Sequence, residues 1–176
     1  MGRIEAESPH PIQRAVRRLI ALRPSAWLLS RTIHPIDSAV FRASRGRFTA
    51  SSVFTGLPIL SVTTIGARSG QPRAVTLVGI PDGERLILVA SNWGQAKNPA
   101  WYHNLKANPE VWVAHDGGGD VPAERLYVAR ELAGAERKAA WARAVALYPG
   151  YRGYAARAGR DIPVIALEPA RAAAAD

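Results

Sequence analysis

The sequence predicts a mainly β fold with flanking helices (α+β), arranged as a small closed or split β-barrel of five to six strands. Three observations carry that expectation. From Ile59 onward the hydrophobic period changes from helical to strand-like. Most connections between strand candidates are too short for parallel crossovers, which favours an antiparallel meander over a doubly wound α/β sheet. One helix is inserted midway along the strands, and another precedes the last of them.

Taken in order, residues 1–10 lack periodicity and form a loose tail. Pro11 begins a helix in which Ile12, Val16, Leu19 and Ile20 share one face beside Arg14, Arg17 and Arg18. Further helical pieces cover 25–32 and 35–43. Residues 59–65, rich in branched side chains and ended by Gly66, form the first strand. Residues 72–80 form the second, Pro81, Asp82 and Gly83 a tight turn, and 85–90 the third. Asn98 caps a helix over 98–106 with Pro99 at its first position, stopped by Asn108 and Pro109. Strands follow at 111–115 and 123–131 around the glycine-rich turn 116–120. A helix over 135–148 breaks at Pro149 and Gly150, a short helix spans 151–158, and 162–167 is the closing strand. The organisation is a basic helical extension over 1–50, a barrel domain over 51–170 and a disordered tail over 171–176.

Composition narrows the chemistry. At 176 residues and 48% hydrophobic content the chain supports one core rather than two. It has no cysteine, which excludes disulfides, thiol catalysis and cysteine-ligated metal, so redox chemistry would require a bound cofactor. His103 and His115 lack a recurring ligand spacing with Asp116 or Asp120, and no metal is expected. The net charge is +9, and residues 1–50 hold nine arginines against three acids. Those arginines alternate with apolar residues and match no zinc-finger, RNP or helix-turn-helix pattern, so nucleic acid is not an expected partner. Arg14, Arg17, Arg18, Arg23 and Pro24 interrupt 12–30, and neither a signal peptide nor a spanning helix is expected. The apolar stripe and arginines of 11–34 suit either a membrane surface or packing on the chain's own domain.

Four constellations carry chemical potential. The loop Gly66, Ala67, Arg68, Ser69, Gly70, with Arg73 behind it, reads either as an anion clamp of backbone amides, hydroxyl and guanidinium forks, or as a hairpin turn with solvent arginines. It lacks the dinucleotide, P-loop and serine-elbow patterns. Ser91, Asn92, Trp93 and Gly94 follow a strand and face either a planar ligand or nothing in particular. Trp101 and Tyr102 either cover a ring system or belong to the core, and Trp101 reads better as core. Tyr148, Tyr151 and Tyr154, three residues apart, offer three phenols to a carbonyl, nitro or quinone oxygen, or else line a half-buried helix.

The runs PILSVTTIGARSGQPRAVTL, LILVASNWGQAKNPAWYHNLKANPEVWV and ALYPGYRGYAARAGRDIPVIALEP resemble the deazaflavin-dependent nitroreductase family of actinobacterial enzymes, over about residues 57–169. The resemblance implies a split β-barrel like that of FMN-binding, pyridoxamine-oxidase-type proteins, and the 8-hydroxy-5-deazaflavin coenzyme F420 as cofactor. It implies that Arg68, Ser69, Gly70 and Arg73 receive the coenzyme's phosphate and acidic tail. Ala74, Val75, Thr76, Leu77, Ala90, Ser91, Asn92, Trp93 and Gly94 would line the deazaflavin, with Asn98 and Trp101 at its margin. Tyr148, Tyr151, Tyr154 and Ser91 would form the substrate pocket. Two departures stand out: Ala67 where many relatives have Arg, which would weaken tail binding, and Trp93 at a usually glycine-like position, which would narrow the ring pocket.

The expected activity is hydride transfer from reduced F420 to a quinone, nitroaromatic or activated enone. The rivals are an FMN-dependent reductase on the same barrel and a non-catalytic carrier of F420 or a fatty ligand. By analogy the family implies a homodimer, located in the cytoplasm or peripherally at the inner face of the cell membrane.

Overall fold

A computed structural model describes Gln13, residues 56–115 and residues 123–170. The elements are β1 (Ile59–Ile65), β2 (Pro72–Val78), β3 (Ile80–Asp82), β4 (Arg85–Val89), a 3₁₀ turn (Asn92–Gly94), α1 (Ala100–Ala107), β5 (Glu110–His115), β6 (Ala123–Glu131), α2 (Gly134–Leu147), α3 (Gly150–Ala158) and β7 (Val164–Pro169). All strand pairings are antiparallel, in the order β2-β1-β5-β6-β7-β4-β3.

The outermost strands of that order, β2 and β3, are consecutive in the chain and separated by Gly79 alone. The sheet therefore curls until its edges meet at a covalent joint without a hydrogen-bonded seam, which is a split barrel. Gly79 lets the joint form because a Cβ there would overlap the Leu60 side chain, while its amide donates to the Pro58 carbonyl at 2.9 Å. The strand expected over 72–80 is accordingly two strands. Pro81 and Asp82, expected in a turn, lie in β3, and the hairpin reverses at Gly83 and Glu84. That division raises the described strand number to seven.

Two cores share the sheet. Leu60, Val62, Leu86, Leu88, Val111, Val113, Tyr127, Ile165 and Leu167 fill the barrel. Ile87, Val89, Val164 and Ala166 point the other way, against α2 and α3. Strands β4 and β7 thus bury both faces, which is why they read as unbroken apolar runs. Each fully buried Leu, Ile or Val contributes about 1.5–3 kcal/mol. Helix α1 plugs the barrel with Trp101 and Leu105, one turn apart on its buried face. Helix α2 approaches the sheet through Ala140, Ala144 and Val145, and α3 through Tyr151, Tyr154 and Ala158.

The helices expected over 25–32 and 35–43, most of 11–34, the turn 116–120 and the tail 171–176 lie outside the described residues. Within 1–55 the structure describes Gln13, which is helical with its side-chain amide close to Gly56 at the start of the domain. Among the described residues no helix is long and apolar enough to cross a membrane.

Candidate functional site

The β1–β2 hairpin loop is folded on itself and braced from α1. Gly70, at φ 64, returns its amide to the Gly66 carbonyl at 2.8 Å, and Gly66 donates to Gln71 at 2.9 Å. The Ser69 hydroxyl accepts from the Gln71 amide at 3.3 Å. Asn104 on α1 accepts from the Ala67 amide and donates to the buried Thr64 hydroxyl, both at 3.0 Å. Asn108 donates to the Ile65 carbonyl at 3.3 Å. This bracing leaves Arg68, Ser69, Gly70, Arg73 and Ala74 exposed, while Val75, Thr76 and Leu77 on β2 are half-buried. Nothing lies within 4 Å of where a Cβ on Gly70 would be, so the loop presents open space there, with exposed Arg68 and Arg73 near it in the chain.

The segment after β4 takes an unusual path. Ser91 is right-handed, but Asn92 (φ 44), Trp93 (φ 58) and Gly94 (φ 80) follow in the left-handed region. Side chains other than glycine are disfavoured there, and such conformations persist where the surroundings enforce them. The φ of Trp93 accounts physically for the glycine-like character of its position. The indole meets the Tyr154 ring edge-on at 6.1 Å, and a Cβ on Gly94 would lie 3.0 Å from the Tyr154 carbonyl oxygen. The loop is therefore seated on α3.

Beneath it stand the three tyrosines. Tyr148 caps the C-terminus of α2, and Tyr151 and Tyr154 sit on the first turns of α3, so the break at Pro149 folds all three rings together. Centroids lie 5.3, 5.9 and 6.1 Å apart, and the Tyr148 and Tyr154 hydroxyls share a hydrogen bond of 3.0 Å. None of the three is more than 5% exposed. Burial, then the neighbouring Tyr148, pushes the Tyr151 and Tyr154 phenols well above their ordinary range, so both stay neutral. The Arg157 guanidinium lies 5.1 Å from the Tyr154 ring centroid.

The residues read as a site from the sequence thus fall into two groups joined by 91–99. Trp93 and Gly94 meet Tyr154, with Ala90 buried just after β4, and the same segment leads into α1, which braces the Arg68 loop. Asn98 does not cap α1: Pro99 occupies that position, without a side-chain cap. Proline supplies an extended backbone there and displaces asparagine from the role. The Asn98 Oδ1 is instead buried with no hydrogen-bond partner. Trp101 is 8% exposed and belongs to the barrel core. Tyr102 turns outward and donates to Glu131 at 3.0 Å, and burial followed by that bond raises its phenol. His103 is exposed, and among the described residues no cluster could hold a metal ion.

Sequence reasoning missed Arg160, which binds the carbonyls of the loop from below, and Asn104, which braces the hairpin. A lone arginine or asparagine aimed at backbone leaves no spacing to find.

Comparisons with known proteins show the family and the fold. A family model described as F420H(2)-dependent quinone reductase matches residues 36–169. An F420H(2)-dependent quinone reductase of Mycobacterium tuberculosis is 38% identical over 78 residues, 44% of this chain and 52% of that protein, so the chain spans about half the length of that curated relative. A solved F420-H2 dependent reductase superposes with a TM-score of 0.55 at 40% identity, over 63% of this chain and 94% of the other. A solved chain described as a domain-swapped dimer gives a TM-score of 0.58 at 36% identity, over 83% of this chain and 100% of the other.

Proposed function

Since the chain belongs to the F420H(2)-dependent quinone reductase family, we propose that it reduces a quinone with reduced F420, nitroaromatics and activated enones being further acceptors to test. The observation that carries this reading is the joining of an exposed cationic hairpin loop to a buried phenol cluster through the segment 91–99, left-handed at 92–94.

The residues present fit such a coenzyme. Arg68 and Arg73 are exposed cations for a phosphate and an acidic tail, with Ser69 and the open space at Gly70 beside them. Half-buried Val75, Thr76 and Leu77, with Ala74 and the 90–94 segment, would line the planar ring. The orphaned Asn98 Oδ1 is an acceptor awaiting a donor, because a buried carbonyl oxygen without a partner is costly. When bound, reduced deazaflavin supplies a hydride from C5 of its ring.

The chain's own part is electrostatic. Tyr151 and Tyr154, kept protonated by burial, would hold a proton at Oη for the acceptor oxygen as negative charge builds on it. Tyr148 shares its hydroxyl with Tyr154 and would fix that phenol's direction. The surrounding apolar core would exclude water, which strengthens a hydrogen bond to a developing oxyanion. A homodimer is the proposed assembly, on the strength of the relative described as a domain-swapped dimer.

The test is titration with F420 and with FMN, followed by anaerobic mixing of the reduced complex with menadione. Selective F420 binding with rapid reoxidation is expected. FMN binding alone would transfer the reading to a flavin reductase, and binding of neither would overturn the redox reading.

A further inference from the structure

Among the described residues, Arg160 makes the broadest set of side-chain bonds to backbone. Gly159, left-handed at φ 63, ends α3 and turns the chain so that the Arg160 side chain runs beneath residues 90–97. Its Nε donates to the Gln95 carbonyl at 3.2 Å and its Nη1 to the Asp161 carbonyl at 3.1 Å. Its Nη2 faces three more carbonyls, of Ala90 at 3.1 Å, Lys97 at 3.3 Å and Ser91 at 3.5 Å. The guanidinium therefore grips both ends of the loop at once. Asn92 adds a strut inside it, donating from Nδ2 to the Lys97 carbonyl at 2.9 Å.

The grip matters because the middle of the loop is unfavourable alone. Asn92 and Trp93 are the non-glycine residues with positive φ among the described residues, and they lie between the gripped carbonyls. Released, they would relax toward ordinary backbone and withdraw the indole from Tyr154. A rigid planar fork can serve carbonyls in several directions together, whereas an ammonium on a flexible stem cannot.

We propose that Arg160 is a positioning residue: by gathering the carbonyls of Ala90, Ser91, Gln95 and Lys97 it holds the left-handed loop, sets Trp93 against Tyr154 and shapes the surface on which the planar coenzyme lies. The coenzyme part rests on the functional reading above, whereas the loop part is independent of it.

The experiment uses the full chain as wild type, Arg160→Gln and Arg160→Lys, the lysine variant keeping charge and stem in case glutamine fails to fold. Amide hydrogen exchange without ligand is followed by F420 titration and steady-state kinetics. Exchange of 91–97 should accelerate about tenfold in both variants while Val164–Pro169 stays protected. The Kd and KM for F420 should rise about tenfold, with kcat changing less than about threefold. Unchanged exchange at 91–97 would overturn the proposal. So would loosening of 91–97 and β7 together, the mark of a merely structural arginine, or faster loop exchange with unaltered F420 affinity. If wild type binds no F420, the functional reading fails, and the exchange data still decide whether Arg160 holds the loop.

Discussion

Helices α2 and α3 pack on the same face of the sheet, yet opposite chemistries hold them. Around α2 the ties are ionic and mostly at the surface, Asp82 alone being largely covered: Glu136 accepts from Arg85 at 2.7 Å and Arg130 at 2.9 Å, Arg130 continues to Glu168 at 2.9 Å, and Arg143 pairs with Asp82 at 2.7 Å. Around α3 they are buried: phenols packed edge to face, one shared hydroxyl bond, and an arginine spent on backbone carbonyls. Exposed pairs exchange readily with water and are screened by salt, so each contributes little. A buried phenol bond has no such alternative, and leaving one partner without it costs free energy. Both left-handed non-glycine residues lie against α3 and none beside α2 among the described residues. Strain is kept where buried contacts are strong enough to hold it.

The largest expected effect tests the buried side. Tyr154→Ala removes a ring 3% exposed and should destabilise by about 3–5 kcal/mol in chemical denaturation. Tyr154→Phe keeps the ring, removes the hydroxyl bond to Tyr148, and should cost about 0.5–1.5 kcal/mol. The same comparison has an alkaline form. Tyr151 and Tyr154 hold their protons above the ordinary value of 10.0, so their contribution is whole below pH 10 and declines as pH rises beyond it. Phenolate absorbance in the folded protein should show these two rings ionising only with unfolding. Normal titration of all five tyrosines would break the contrast.

Next comes the junction between loop and α3. Gly94→Ala must place a Cβ 3.0 Å from the Tyr154 carbonyl oxygen at a φ of 80, so a loss of about 1–3 kcal/mol is expected. Gly83→Ala makes the control, since at φ 66 it meets nothing within 4 Å and carries the backbone penalty alone. Equal losses would mean that the loop is not seated on α3.

How far the sequence reveals these regions depends on whether a feature repeats. Alternation repeats, and β1 and β6 fall at the boundaries expected, 59–65 and 123–131. The tyrosine spacing of three likewise marks the cluster, although it is the break at Pro149, with Tyr148 ending α2 and Tyr151 and Tyr154 opening α3, that gathers the rings. A single residue that changes the path of the chain does not repeat. Gly79 splits one expected strand because of a close approach to Leu60, which only the folded sheet creates. Pro99 displaces Asn98 as the cap through local backbone preference, and the consequence, an orphaned Oδ1, is a tertiary fact. Arg160 reaches carbonyls 63 to 70 positions away in the chain, a relation with no local signature.

The smallest expected effect belongs to the ionic side and depends on conditions. Arg130, then Arg85, hold the Glu136 carboxyl down at about 2, against 4.5 for the free group. Its folded form therefore binds a proton less readily than the unfolded chain, so its contribution is present above pH 4.5 and disappears as pH falls from there toward 2. Glu136→Gln should barely change the melting temperature at neutral pH in high salt, where screening has already weakened the pairs. In low salt the wild type should melt higher than the variant at pH 6, and the gap should narrow below pH 4.5 and close only as pH approaches 2, where protonation dismantles the wild-type pairs. A gap that survives both acid and salt would mean that the α2 face is held by packing like its neighbour, and the two helices would differ only in which side chains they bury.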